Sequence, residues 1–262
     1  MGVPAELPIK AYGEASVFEP ANLLREARRQ KNLPDIPVPR VCVLDPDGDI
    51  ATYLETSGEG TKHPGWACYH TDMWVTDVSG TTIGVVGRAV GAPFAVLVTE
   101  QLFASGAELV ISITSAGRLQ PLADPPYFVL IEAALRDEGT SRHYQPPATW
   151  SPMPDRLLSG LADAWGSLEE QVISARSWTT DAPYRETPAA IASAAQLGAA
   201  CVEMESAALY CLAAARDYDI VCLAHITNTM ATSGDDFEKG EANGVHASLT
   251  LAGHVARHHL HV

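Results

Sequence analysis

The sequence predicts an α/β fold: a single domain with a central mixed, largely parallel β-sheet flanked by helices. Three observations predict it. Short apolar runs of strand length alternate with helical segments along the chain. Between Phe94 and Thr114 a helix closed by Gly106 leads into a buried strand, the repeating unit of a parallel sheet. No internal repeat or low-complexity linker divides the chain, and 262 residues with 47% hydrophobic content can fill one large core.

In order, residues 1–39 carry six prolines around one helix-like segment, Glu19 to Gln30, with a narrow face of Leu23, Leu24 and Ala27. They read as an N-terminal arm packed on a domain covering 40–262. Val41 to Leu44 is a short buried strand that stops at Asp45-Pro-Asp-Gly-Asp49, and such a turn is a usual place for ligand contacts in α/β sheets. Trp74 to Val78 and Thr81 to Val86, hinged at Ser79-Gly80, form a hairpin pattern. A helix from Phe94 to Ser105 and a strand from Leu109 to Thr114 follow, entering Ser115-Ala-Gly117. Tyr127 to Ala134 is a strand leading to the polar loop Arg136 to Tyr144, and the Pro-rich stretch Pro146 to Pro154 is expected to be exposed loop. Then come a helix (Arg156 to Ala164), a strand (Gln171 to Ala175), a loop (Trp178 to Tyr184) and a helix from Pro188 to Gln196 ended by Gly198. An apolar run opens an Ala-rich helix at Glu205 that extends to about Arg216, and Ile220 to Thr227 is a further strand. Asp235 to Glu241 is a charged, lid-like loop before a last helix ending near His261.

Composition narrows the function. The formal charge of −15, from 32 acids against 17 Lys plus Arg, argues against nucleic acid or an anionic membrane as partner, leaving small molecules. No apolar stretch approaches the ~20 residues of a membrane span and Met1 to Lys10 lacks a signal-peptide pattern, so a cytoplasmic protein is expected. Cys42, Cys68, Cys201, Cys211 and Cys222 are odd in number and scattered, reading as buried thiols. His254 and His258 lie one helical turn apart, but a solvated tail is the simpler reading and no metal is expected.

One stretch needs a reason: Val202-Glu-Met-Glu-Ser-Ala-Ala-Leu-Tyr210 sets two acids in an apolar run. Helical spacing puts Glu205 on the face of Ala208, Leu209 and Leu212, unless the helix begins close to it. A buried carboxylate without a donor is costly, and sugar hydroxyls are suitable donors.

This stretch, with Gly91-Ala-Pro93 plus Glu100 and Gly106-Ala107, Ser115-Ala-Gly117 plus Gln120-Pro121, and Arg136-Asp-Glu-Gly-Thr-Ser-Arg-His-Tyr144, resembles the nucleoside phosphorylase superfamily, closest to its uridine phosphorylase-like branch. The resemblance covers roughly Val41 to Asn228. It implies a phosphorylase/hydrolase-like fold, a homo-oligomer (dimer, trimer or hexamer), a small-molecule nucleoside as substrate, and no cofactor beyond inorganic phosphate as co-substrate. It implies that Glu205 accepts hydrogen bonds from the 2′- and 3′-hydroxyls, that Met204 packs on the sugar, that Trp178 packs on the base, and that Asn228 hydrogen-bonds the leaving base without protonating it. His225 is a candidate acid or a core histidine; Arg142 and His143 come from the loop that resembles an active-site segment. Where that branch reads the pyrimidine with Gln and Arg, this chain has Ala182 and Tyr184, so purine and pyrimidine both stay open.

The phosphate site departs from the pattern. The first turn carries Asp45, Asp47 and Asp49 where a Gly-rich anion loop is usual, Ser112 replaces an arginine, and the partner-subunit arginine falls at Tyr69, beside His70. Ser115 and Thr114 remain as anion-facing hydroxyls, and Arg88 or Arg118 could supply charge from shifted positions. The expectation is therefore cleavage of a nucleoside N-glycosidic bond by phosphorolysis. Hydrolysis, with Asp47, Asp49 or Glu203 activating water, is the close alternative, and non-catalytic nucleoside binding is the third.

Overall fold

The computed structural model describes residues 10–227 and 244–260. Its centre is parallel: β1 (Val41–Asp45) lies between β4 (Thr81–Gly87) and β5 (Leu109–Ser115), and β11 (Asp219–Ile226) adds to β5 in the same direction. These strands are apolar almost throughout because helices cover both faces, which leaves no solvent side for alternating polar residues. Their parallel alignment puts Asp45, Gly87, Ser115 and Ile226 along one edge of the sheet.

Beyond β11 the direction reverses. β7 (Tyr127–Asp137) runs antiparallel to β11, and β9 (Val172–Thr180) and β10 (Ala199–Glu203) follow β7. The short β6 (Gly117–Arg118) pairs antiparallel with β10, Val202 opposite Gly117. With β2 (Thr61–Lys62) and β3 (Trp74–Val78) the path reads β2-β3-β4-β1-β5-β11-β7-β9-β10-β6, and β8 (Trp150–Pro152) lies on β7. Only Ala116 separates β5 from β6, so the far end of the path returns to β5 and carries Glu203 toward Ser115.

The helices are α1 (Pro20–Lys31), α2 (Asp49–Ser57), α3 (Ala92–Ala104), α4 (Asp155–Leu161), α5 (Pro188–Leu197), α6 (Ser206–Arg216) and α7 (Val245–Leu260). Local signals set their ends: Pro20, Pro93 and Pro188 fall in first turns, the Thr187 hydroxyl accepts from Ala190 N–H, and Gly198 ends α5 in the left-handed region. α1 buries Leu24 and Ala27 against Ala67 and touches α3. Among the described residues no helix is long and apolar enough to cross a membrane, and all five cysteines are free and buried.

The single α/β domain and the hairpin are as the sequence predicts. Four segments differ. Pro146 to Pro154 is not all exposed loop: β7 parts from β11 after Leu130, β8 takes over at Ala133 to Leu135, and Ser151 and Met153 become buried. Pro152 is tolerated there because it sits at the end of a short edge strand. β9 does not stop at Ala175 but runs to Thr180, so Trp178 lies in a strand instead of a loop. The chain before Glu205 is strand β10, and α2 occupies a stretch whose helical pattern is hidden by its acidic start. The lid-like Asp235 to Glu241 lies outside the described residues.

Candidate active site

β10 ends at Glu203 and α6 begins at Ser206, so Met204 and Glu205 form the corner between them. Glu203 is buried and saturated: one oxygen accepts from the hydroxyls of Ser177 (2.9 Å) and Thr179 (2.5 Å), the other from the N–H groups of Glu205 and Ser206 (both 2.7 Å). It secures the first turn of α6, a role that leaves no lone pair for activating water. Glu205 is 1% exposed; it accepts from Gly91 N–H at 2.7 Å and more weakly from Met204 N–H at 3.3 Å. Gly91 has φ +84°, a conformation open to glycine, and it is this backbone that aims the N–H at the carboxylate from the start of α3. Burial first, then the charge of Glu203, and more weakly that of Asp47, raises the Glu205 pKa to about 8. Met204 is half-buried at the same corner.

The turn after β1 supplies the opposite wall. Asp45 points inward and accepts from Gly48 and Ala51 N–H, capping α2; burial raises its pKa to about 6. Asp47 reaches across to β5, where its two oxygens accept from Ser115 N–H (2.7 Å) and the Ser115 hydroxyl (3.1 Å). Thr114 turns its hydroxyl to the Ser115 carbonyl. His225 on β11 stands opposite Ser115 and Phe128, with its ring stacked on Phe128 (centroids 4.2 Å apart, planes at 5°). Asp47, Asp49, Ser115, His225 and Thr227 line a cleft of about 20 Å³.

The remaining candidates scatter. Arg88 lies against Gly48 and donates to the Thr52 hydroxyl at 2.9 Å, close to the acidic turn. Arg118, on β6, donates to the Ala123 carbonyl. Trp178 is 4% exposed among Leu119, Leu135 and Val202 and donates to Asp137 at 3.0 Å. Strand alternation puts it on the face opposite Ser177 and Thr179, so it serves as a core residue and offers no open ring to a base. His143 bonds Lys10 beside a surface cleft between α1 and α3, and Arg142 contributes its carbonyl to Tyr12. His70 sits near Phe94 at the start of α3. Asn228 lies outside the described residues. Among those residues, no cluster of His, Cys, Asp or Glu is arranged to hold a metal.

A sequence profile described as the Phosphorylase superfamily matches residues 40–257. The chain belongs to the phosphorylase superfamily. Its similarity to individual members is modest. It is 29% identical to the uridine phosphorylase of Thermococcus kodakarensis over 37% of this chain and 39% of that one. It is 26% identical to the DeoD-type purine nucleoside phosphorylase of Caldanaerobacter subterraneus subsp. tengcongensis over 66% of this chain and 77% of that protein. Among solved structures, uridine phosphorylase from Vibrio fischeri superposes with a TM-score of 0.66 at 18% identity, covering 87% of this chain and 92% of the other. The 5′-methylthioadenosine/S-adenosyl homocysteine nucleosidase of Campylobacter jejuni does so with a TM-score of 0.67 at 14% identity, covering 86% and 100%. At these identities the likeness is one of fold.

Two features of this superfamily member escape the sequence. The Gly91 N–H that holds Glu205 comes from 114 residues away, signalled only by the Gly-Ala-Pro string. The Asp47–Ser115 contact spans 68 residues, and no local pattern announces it.

Proposed function

We propose that the chain is an enzyme that cleaves the N-glycosidic bond of a nucleoside, with water as the acceptor. The observation that carries the choice of acceptor is Asp47 on Ser115. An amide N–H and a hydroxyl that converge on one point are the donors an incoming anion would use, and here a carboxylate already holds both. Two unit charges about 4 Å apart near a protein surface repel by roughly 1–4 kcal/mol, so a phosphate beside Asp47 meets opposition that water does not. The same carboxylates favour the positive charge that develops on the sugar as the bond breaks. Glu205 accepts from the ribose hydroxyls and Met204 packs on the sugar, on the strength of the corner geometry and the matched motif. The reaction then requires no cofactor, and the chain acts as a cytoplasmic homo-oligomer.

Phosphorolysis is the second reading, favoured by the curated relatives and by Arg88 beside the acidic turn. A nucleoside panel assayed with and without phosphate separates the two. Hydrolysis predicts free pentose in both conditions; pentose 1-phosphate appearing only with phosphate restores phosphorolysis.

A further inference from the structure

We propose that a second site, separate from the Glu205 corner, lies at the opposite edge of the sheet where Arg40 and Arg257 line one cavity, and that it binds the dianionic group of a small phosphomonoester. The site is independent of which acceptor the sugar meets.

Position separates the two sites. Asp45, Gly87 and Ser115 end their parallel strands at the candidate active site, whereas Val41 and Thr81 begin β1 and β4 at the other edge. A cavity of about 320 Å³ opens there, lined on its polar side by Arg40, Thr81, Thr82 and Arg257.

Charge sets this cavity apart. In a chain with 32 acids against 17 Lys plus Arg, it gathers two guanidiniums and no carboxylate among its described lining residues. Arg40 directs Nη2 to Glu108 at 2.6 Å, which leaves the other donors of its fork for a ligand. Arg257 is the sharper signal. It is half-buried, its Nη1 is enclosed without a hydrogen-bond acceptor, and no ion pair of the described residues includes it. A guanidinium does not lose its proton in a folded protein, so burial leaves it a charge that calls for an anion.

The packing of α7 explains how Arg257 gets there. Gly253 lies one helical turn before it, and a Cβ on Gly253 would stand 2.6 Å from Val78 Cγ1 and 3.5 Å from Arg257 Nη1. Without that Cβ, α7 lies close against the β3–β4 hairpin and the guanidinium sits beside it.

The ligand follows from the lining. Two planar forks and two hydroxyls suit a tetrahedral group that presents three oxygens better than a single carboxylate. The volume falls in the range of small-molecule sites, about 300–1,000 Å³, and Pro39, Val41 and Leu260 give an apolar surface for the organic part of an ester. The opposing charges are held elsewhere: Glu108 lies on Arg40, Asp77 is turned onto Gly80 N–H at 2.8 Å, and neither acid lines the cavity. The C-terminal end of α7 carries about half a negative charge, less than the full charge of Arg257. On this assignment, phosphate binding by the whole protein does not by itself signal phosphorolysis.

The test titrates the full chain at neutral pH with phenyl phosphate, inorganic phosphate and benzyl alcohol, by calorimetry and by amide NMR. Expected is binding of phenyl phosphate more tightly than inorganic phosphate, none of benzyl alcohol, and amide shifts centred on Gly80, Thr81 and Thr82 of the wild type, a readout that needs no variant. Arg257→Gln and the largely exposed Arg40→Gln should each weaken phenyl phosphate by about tenfold or more, while Arg88→Gln, at the acidic turn, leaves its affinity unchanged. No binding of phenyl phosphate, equal binding of benzyl alcohol, or shifts and affinity loss that follow Ser115 and Arg88 instead overturn the inference. Pentose 1-phosphate as the reaction product, with the Arg40 and Arg257 effects intact, overturns hydrolysis and leaves this site standing.

Discussion

Glu205 is a carboxylate enclosed on every side and held by two backbone N–H groups, a state worth maintaining only if something else donates to it. Above about pH 8, where the carboxyl is ionised, Glu205→Ala should lower kcat/KM by about 2–4 kcal/mol, roughly 30- to 700-fold, the scale of one or two hydrogen bonds to a charged acceptor. Steady-state kinetics on any cleaved nucleoside checks this, and unchanged turnover would remove Glu205 from the site. Its raised pKa also makes a stability prediction. The folded state binds the proton up to about pH 8, whereas a carboxyl in the unfolded chain releases it near its ordinary 4.5. Stability from this group is therefore full below the unfolded value and is lost as pH rises through about 8. Thermal unfolding across this range should show Glu205→Gln gaining on wild type as pH rises; parallel curves would contradict the shift. The acid itself can be read from the sequence, since two carboxylates in an apolar run stand out. Its Gly91 partner cannot be, and neither can the burial of Trp178, whose strand continues past the polar residues that suggest its end.

At the scale of elements, α6 joins the site to the sheet. Tyr210, fully buried, donates its hydroxyl to the Ile131 carbonyl and accepts from Cys222 N–H at 3.2 Å. Leu130 and Leu223 are the last paired residues of β7 and β11 on that side, so the hydroxyl fills the gap where the two strands part. Tyr210→Phe leaves a buried carbonyl and N–H without that partner and should cost about 2–3 kcal/mol, a drop of roughly 5–10 °C in Tm for a chain this size. Denaturant titration and calorimetry check it; a loss within error would mean that both groups are satisfied elsewhere. Periodicity and caps reveal most elements here, because Gly198, Thr187 and the helix prolines act locally. β8 and the extension of β9 depend on β7, a long-range partner that local residue pattern does not disclose.

For the whole molecule, the topology does the assembling. Parallel strands align Asp45, Ser115 and the end of β11 on one edge, and the return of β6 to β10 brings the Glu203–Glu205 corner to the same place. The sequence reveals the α/β class and the acidic turn, while the pairing that sets Asp47 on Ser115 and His225 beside it arises only when the sheet closes. That pairing is the basis for proposing water as the acceptor. The direct test is the reaction in ¹⁸O-labelled water with phosphate present, followed by mass spectrometry of the sugar product. Water as acceptor predicts free pentose carrying the label at C1; unlabelled pentose 1-phosphate as the product would contradict the account.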